Sequence, residues 1–315
     1  MALPDRLVQP DASLRRRGWW VFALWVGFAV VLTAIAAVVQ SRRDVGAGAI
    51  PPRPGPVRAP RSLGSPAGLA WRLQRGSLLG WTVGLAVLGA TYGSAADSIA
   101  DLLTGNPQLE EIFEQLGGTQ TITDAFFSTV VGILALIAAA YSVRAVLKLD
   151  GEEDSLRTEL VLATATPRSR HAWSHLFYGL AGPVLLLTVA GTVTGATYGL
   201  IVGDVAAETP RVLVAALAQV PAVWVLTAVA MALYGTTPKW SSFSWGALVV
   251  CLILGQLGQI LQFPQWTLNL SPFTHVPMVP GQDFRTTPFI WLLAVAVALI
   301  ASGLTAFRRR DIPAA

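Results

Sequence analysis

The sequence predicts an all-α membrane protein, a polytopic bundle of about seven transmembrane helices. Its 315 residues are 53% hydrophobic and 13% charged, which is roughly half the charged fraction of a typical soluble domain. The apolar residues are concentrated in long runs without Asp, Glu, Lys, Arg or His. Backbone N–H and C=O groups must pair internally in lipid, so an uncharged run of about 20 residues predicts a spanning helix.

Seven uncharged apolar runs follow one another along the chain. They are residues 19–39, 78–96, 125–143, 176–202, 212–234, 241–262 and 288–307. We therefore expect three parts. Residues 1–43 hold an N-terminal segment and one transmembrane helix, residues 44–66 form a cytoplasmic linker rich in Pro and Gly, and residues 67–315 form a six-helix transmembrane domain.

A short internal echo supports a six-helix unit. The first run is followed by SRRDVGAG at residues 41–48, and the last run is followed by RRRDIPA at residues 308–314. Each contains the order Arg-Arg-Asp-apolar directly after an apolar run. The chain is therefore expected to hold the last helix of one unit and a complete second unit.

The basic residues predict the orientation in the plasma membrane. When the connecting segments are assigned alternately to two sides, sixteen of the 22 Lys and Arg residues fall on one side and six on the other. The richer side is cytoplasmic by the positive-inside rule, so we expect a cytoplasmic C-terminus and an extracytoplasmic N-terminus. Arg15, Arg16 and Arg17 would then lie outside against the rule. The alternative is an even number of spans, with the first run lying along the surface.

Residues for catalysis or cofactor binding do not converge in the sequence. Neither Lys148 nor Lys239 follows a glycine, so no phosphate-binding Gly-Lys loop is present. His171 and His175 are four residues apart but lack the Glu of the zinc-hydrolase helix, and we expect them to lie at the membrane interface without metal. Cys251 is alone in an apolar run. The basic residues lie between membrane runs, which argues against nucleic acid as a partner.

One polar stripe occurs inside the runs. Gln256, Gln259 and Gln262 are three residues apart and would share one face of a helix. Gln256 and Gln259 are weak candidates for lining a substrate path. Hydrogen bonding between helices is the alternative that the neighbouring glycines favour.

The longest loop on the basic side carries the strongest candidate for a docking site. It reads KLDGEEDSLRTELVLATATPRSRHAW over residues 148–173, and Ser155 can begin a short helix that Pro167 ends. A surface helix with charged residues and one apolar face is what a separate motor subunit would need to grip. The candidate contacts are Glu152, Glu153, Ser155, Arg157, Glu159, Leu160, Arg168 and Arg170.

This loop resembles that of a known family. The acidic start, RTELVLAT, the proline and SRHAW resemble the inner loop of type-2 ABC exporter permeases of the actinobacterial polyketide-antibiotic and multidrug efflux group. RRDVGAG, PPRPGP, LAWRLQRGSLLGW, SPFTHVP and the terminal RRRDI resemble the same group. The likeness extends over about residues 19–312.

The resemblance implies a permease of two six-helix units that exports lipophilic drugs or antibiotics. ATP would be hydrolysed by a separate ABC ATP-binding subunit, and the permease itself would bind no cofactor. Residues 68–76 would form a connecting helix, 151–170 the coupling loop and 263–283 an outer segment. This chain has one full unit and one further helix. A fragment, a late-start reading of a longer gene, or a half that pairs with another half or with a second copy are the three expectations that fit.

The sequence therefore favours a transmembrane permease subunit without an ATPase site of its own. Spans without an ionisable residue argue against a carrier driven by protons or sodium. The alternative is a membrane scaffold, assembly or immunity protein that transports nothing. An intramembrane enzyme is the least favoured, because no acid, His or Cys constellation lies inside the runs.

Overall fold

The computed structural model describes residues 65–104, 119–155, 167–258, 261–277 and 286–310, and helical residues within 26–38. The chain divides into two compact units, Met1–Ala59 and Pro60–Ala315. The first contains a short apolar helix, Ala29–Val38, which lies inside the predicted run 19–39. The rest of that run lies outside the described residues.

The second unit is built from helices, and its described part contains no strand. The helices are α1 (Pro66–Thr104), α2 (Thr119–Asp154), α3 (Arg168–Val202), α4 (Val205–Ala218), α5 (Val220–Thr236), α6 (Phe243–Leu257), α7 (Gln265–Leu268) and α8 (Thr286–Arg309). Two 3-10 turns, Pro238–Trp240 and Pro272–His275, precede α6 and follow α7.

Six segments of this unit are long and apolar enough to cross a bilayer. Four of them lie in α1, α2, α3 and α8, the pair α4 and α5 makes one, Val205–Thr236, and α6 with its preceding turn makes another, Pro238–Leu257. These six correspond to the six predicted runs after the first. The all-α, multi-pass fold predicted from the sequence is therefore confirmed.

The helices are longer than the uncharged runs inside them. α3 has 35 residues, or about 52 Å at 1.5 Å per residue, against a hydrocarbon layer of about 30 Å. The additional turns carry charged and polar residues, as at the start of α3 with Arg168 and Arg170. The uncharged runs therefore correspond to the apolar middle of each helix, and polar turns extend the same helices beyond those runs.

Close helix packing depends on glycines. Gly191, Gly195 and Gly199 form one stripe of α3 against α4, and a Cβ added to them would lie 2.7 Å, 2.8 Å and 2.6 Å from atoms of α4. Gly235 of α5 and Gly303 of α8 face each other so closely that neither position has room for a side chain. Small residues spaced by four allow backbones to approach in membranes.

The centre of the bundle is α2. In the most apolar stretch of α2, 67% of the residues are buried, against 22% in that of α1 and 17% in that of α8. Phe127, Leu134 and Tyr141 are almost completely buried along it. The outer helices expose large apolar side chains such as Val83, as expected of surfaces that face lipid.

Candidate functional site: the polar end of the bundle

One end of the bundle brings together the start of α1, the end of α2, the start of α3 and the residue that follows α8. Tyr178 Oη of α3 donates a hydrogen bond to the carbonyl oxygen of Ala67 at 3.3 Å. Lys148 Nζ of α2 donates to the carbonyl oxygen of Leu73 at 2.6 Å. Arg168 Nη1 donates to the carbonyl oxygen of Arg310 at 2.7 Å. We call this the polar end.

Glu153 is the centre of a clamp between three helices. Its carboxylate accepts two hydrogen bonds from Arg310 Nη2, one of them at 2.6 Å, and one from Tyr234 Oη at 2.9 Å. Arg310 Nη1 also donates to the carbonyl oxygen of Tyr234 at 2.9 Å, and its guanidinium carbon lies 5.3 Å from the centre of the Tyr234 ring. The clamp fixes the end of α2 to the ends of α5 and α8.

Glu152, on the adjacent position of α2, faces two histidines of α3. Its Oε2 atom lies 3.3 Å from Nε2 of His175 and 3.9 Å from Nε2 of His171. The side chains of both histidines are 2% exposed and that of Glu152 is 8% exposed. Glu152 Oε1, His171 Nε2 and His175 Nδ1 have no hydrogen-bond partner in the described part of the chain.

The pairing brings together residues on opposite sides of the loop. His171 and His175 are one helical turn apart, so both project from the same face of α3, and their rings meet edge to face at 5.5 Å. One donor atom from each of the three residues lies within 4.8 Å of the others. The interfacial position predicted for the two histidines stays a prediction. The structure buries both side chains beside Glu152, which lies nineteen residues before His171 in sequence and becomes its neighbour only when α2 and α3 pack.

The predicted docking residues separate into two groups. Glu152 and Glu153 face into the bundle, and Arg168 contacts Arg310, so these three connect helices to one another. Ser155 is exposed, and its hydroxyl donates to the carbonyl oxygen of Gly151 at 2.8 Å. Arg170 is exposed. Arg157, Glu159 and Leu160 lie outside the described residues, and their docking role stays a prediction.

The structure describes Gln256 and Gln262, the two ends of the predicted glutamine stripe. Gln256 is half-buried on α6, and Gln259 lies outside the described residues. α6 ends at Leu257, and Gln262 has a left-handed backbone with φ of 51°. Gln262 is therefore beyond the helix, while a path-lining role for Gln256 and Gln259 stays a prediction.

The opposite end has its own ion pairs. Arg211 of α4 contacts Asp124 of α2 and donates to Glu208 at 3.0 Å. Asp204 begins α4, because its carboxylate accepts a hydrogen bond from the backbone N–H of Ala207 at 3.0 Å. Charged groups thus stabilise both ends of the bundle.

The apolar spans and their charged ends define a multi-pass membrane protein. Residues 63–308 match the family described as multidrug efflux system permease Rv1217c, C-terminal domain, and the chain belongs to that family. It is 44% identical over 305 residues to the multidrug efflux system permease protein Rv1217c of Mycobacterium tuberculosis. The alignment covers 97% of this chain and 55% of that relative, so the chain spans about half the relative's length.

Proposed function

We propose that this chain is a permease unit of an exporter that moves lipophilic drugs out of the cell, with ATP hydrolysed by a separate ABC subunit. The observation that carries the proposal is the family match over residues 63–308, because it covers the complete six-span bundle. The relative's name, a multidrug efflux permease, supports drugs as the substrate class.

The position of the charges supports an external energy source. In the described parts of the six spans, charged side chains lie within about three turns of a helix end. A carrier driven by protons or sodium generally binds the ion at a polar group near the middle of the membrane. The apolar centre of this bundle favours a path for lipophilic molecules that another subunit opens.

We infer that the polar end is cytoplasmic. It contains Arg168 and Arg310, and the segments that leave it carry most of the basic residues of the chain. Positive charge is retained on the cytoplasmic side during membrane insertion. An ATP-binding subunit in the cytoplasm would then meet the loop between α2 and α3.

We propose that residues 156–166 of that loop dock on the ATP-binding subunit. The flanking residues support this division of roles. Glu153 holds the end of α2 through Arg310, and Glu152 contacts the start of α3 through His175. A loop whose two ends are fixed can transmit a displacement to the helices. Arg157, Glu159 and Leu160 are the proposed contacts with the partner.

Reversing one charge in the loop tests the docking role. The chain is co-expressed with its ATP-binding subunit, and drug export and drug-stimulated ATP hydrolysis are measured in inverted membrane vesicles. We expect Glu159→Arg to abolish most drug-stimulated hydrolysis and export while its abundance in the membrane stays normal. Glu159 is chosen because Glu152 and Glu153 have structural contacts whose loss would confuse the result.

The matched control places the same charge at the other end of the bundle. Ala206 is exposed near the start of α4, and Ala206→Arg should export normally. Normal coupling in Glu159→Arg would contradict the docking proposal. A wild-type chain that co-purifies with no ATP-binding subunit would favour the alternative of a membrane scaffold, assembly or immunity protein.

A further inference from the structure

We propose that Glu152, His171 and His175 form a transition-metal site, with zinc the preferred ion, that joins the end of α2 to the start of α3. The proposal does not depend on transport, because it concerns only three buried side chains and their donor atoms. The sequence predicted no metal, since its separate motifs lack a recognised ligand spacing. The fold supplies the missing ligand from the other side of the loop.

The donor set is the first argument. Two imidazole nitrogens and one carboxylate oxygen are ligands that zinc binds in three-ligand sites, where water takes the fourth position. Imidazole suits zinc, copper and nickel, whereas magnesium and calcium prefer sites made of oxygen ligands. The Glu152, His171 and His175 set therefore selects a transition metal.

The distances are the second argument. Ligands bound to zinc at about 2.0–2.2 Å in tetrahedral geometry are separated by about 3.3–3.5 Å. Glu152 Oε2 lies 3.3 Å from Nε2 of His175, which already meets that separation. It lies 3.9 Å from Nε2 of His171, and one donor atom from each of the three residues lies within 4.8 Å of the others. Side-chain rotations that shorten the two longer separations to about 3.4 Å would complete the set.

Burial is the third argument. A hydrogen bond between Glu152 and His175 accounts for one pair of atoms and leaves Glu152 Oε1 and His171 Nε2 without a partner in the described part of the chain. Buried polar atoms without partners are costly, and so is a buried carboxylate without a full counter-charge. A divalent cation bound to Glu152 and to both Nε2 atoms would give His171 Nε2 a partner and the carboxylate a counter-charge, and a bidentate carboxylate would also engage Oε1.

Metal binding would have a definite structural effect. Glu152 is in the last turn of α2, and His171 is in the first turn of α3. The ion would connect the two helices at the base of the loop formed by residues 156–166. Binding should therefore stabilise the packing of α2 on α3 at the polar end.

Zinc binding by the purified chain tests the proposal. The full chain is purified in detergent without a polyhistidine tag, stripped with a chelator, and titrated with Zn²⁺ against a chromophoric competitor. We expect one ion per chain and a higher melting temperature in its presence. His171→Ala, His175→Ala and Glu152→Gln should each weaken binding by at least about tenfold.

His275→Ala is the matched control. His275 is the third histidine of the chain, is bound to the backbone of Asn269, and lies on a segment remote in sequence from the cluster. This variant should bind Zn²⁺ like the wild type. Binding that is equally strong in His171→Ala and His175→Ala would be adventitious surface binding and would overturn the proposal.

Cobalt gives a second measurement that needs no variant. Co²⁺ in a tetrahedral site with nitrogen and oxygen ligands has intense visible absorption bands, whereas hydrated octahedral Co²⁺ absorbs weakly. We expect the stripped wild-type chain to develop these bands with one equivalent of Co²⁺ and to lose them on addition of Zn²⁺. A wild-type chain that shows only the weak octahedral spectrum would contradict the site even if a substituted chain failed to fold.

Discussion

Glu153 shows how a single side chain can fix the end of a membrane bundle. Its carboxylate binds Arg310 through two hydrogen bonds and Tyr234 through one, and both ionic side chains are 15% exposed or less. Hydrogen bonds to charged groups contribute more than neutral ones, particularly where water is excluded. The clamp therefore stabilises the contact of α2 with α5 and α8.

Removing this carboxylate should lower stability measurably. Glu153→Ala leaves the Arg310 guanidinium and the Tyr234 hydroxyl without their acceptor, and we expect the free energy of unfolding to fall by about 1–3 kcal/mol. Unfolding of the detergent-solubilised chain, followed by circular dichroism, measures it. Arg75→Ala removes an exposed charge from α1 and should have little effect. Equal stability of the two variants would show that the clamp is unimportant.

At the residue scale, the sequence marked several of these residues but could not supply their contacts. It marked Glu152, Glu153 and Arg168 because acidic and basic residues flank a loop. Their side chains contact residues that lie far away in sequence, such as Arg310, which is 157 positions from Glu153. Single-sequence patterns carry information about spacing along one helix, and such pairings arise only when helices pack. The Glu152 and histidine cluster was missed for the same reason.

At the scale of helices, glycine spacing determines which surfaces meet. Gly191, Gly195 and Gly199 are four residues apart on α3 and contact the backbone of α4. An added Cβ at Gly195 would lie 2.8 Å from the carbonyl oxygen of Glu208, and backbone cannot yield as a side chain can. Because the lipid supplies little hydrophobic force between helices, this close packing contributes much of the stability.

Substitution of Gly195 tests that packing. Gly195→Val should separate α3 from α4 and destabilise the bundle by about 1–3 kcal/mol, the usual cost of overpacking. Gly132→Val on α2 is the matched control, because an added Cβ there meets nothing within 4 Å. The melting temperatures of the two purified variants measure the difference in stability. A Gly195→Val chain as stable as the Gly132→Val chain would refute close packing at this stripe.

The spans were predictable because one physical constraint dominates them. Charge is excluded from the hydrocarbon layer, so each of the six later runs coincides with a helical span, which α4 and α5 share in one case. Their ends were less predictable. The run 241–262 extends past Leu257, where α6 ends, because the residues that follow are uncharged, although Gln262 has a left-handed backbone. The composition of a segment therefore predicts whether it lies in lipid better than it predicts where its helix ends.

At the scale of the whole molecule, two features bear on how the chain could assemble. The six spans form one bundle whose first and last helices contact the end of α2 and the start of α3 at the polar end. The chain also spans only 55% of its M. tuberculosis relative. We therefore propose that a second permease half or a second copy completes the transport path. The apolar spans of α1 and α8 are the least buried of the six and are the proposed contacts for such a partner.

The predicted division at residue 66 is a hypothesis about this larger assembly. The chain divides into two compact units, Met1–Ala59 and Pro60–Ala315, and the family match begins at residue 63. The internal echo between residues 42–45 and 309–312 relates the helix before the linker to α8. That echo supports a first unit of the same kind.

Site-specific labelling with a membrane-impermeant maleimide tests the central claim most directly. Cys251 is the only cysteine, so Cys251→Ala provides a background for single cysteines at Ser155, Val87 and Ala206. In intact cells we expect labelling of Ala206→Cys alone. After permeabilisation, Ser155→Cys should also react, while Val87→Cys on the lipid-facing surface should remain unlabelled. Reaction at all three positions in intact cells, or at Val87→Cys as readily as at Ala206→Cys, would contradict a bundle embedded in lipid with its polar end in the cytoplasm.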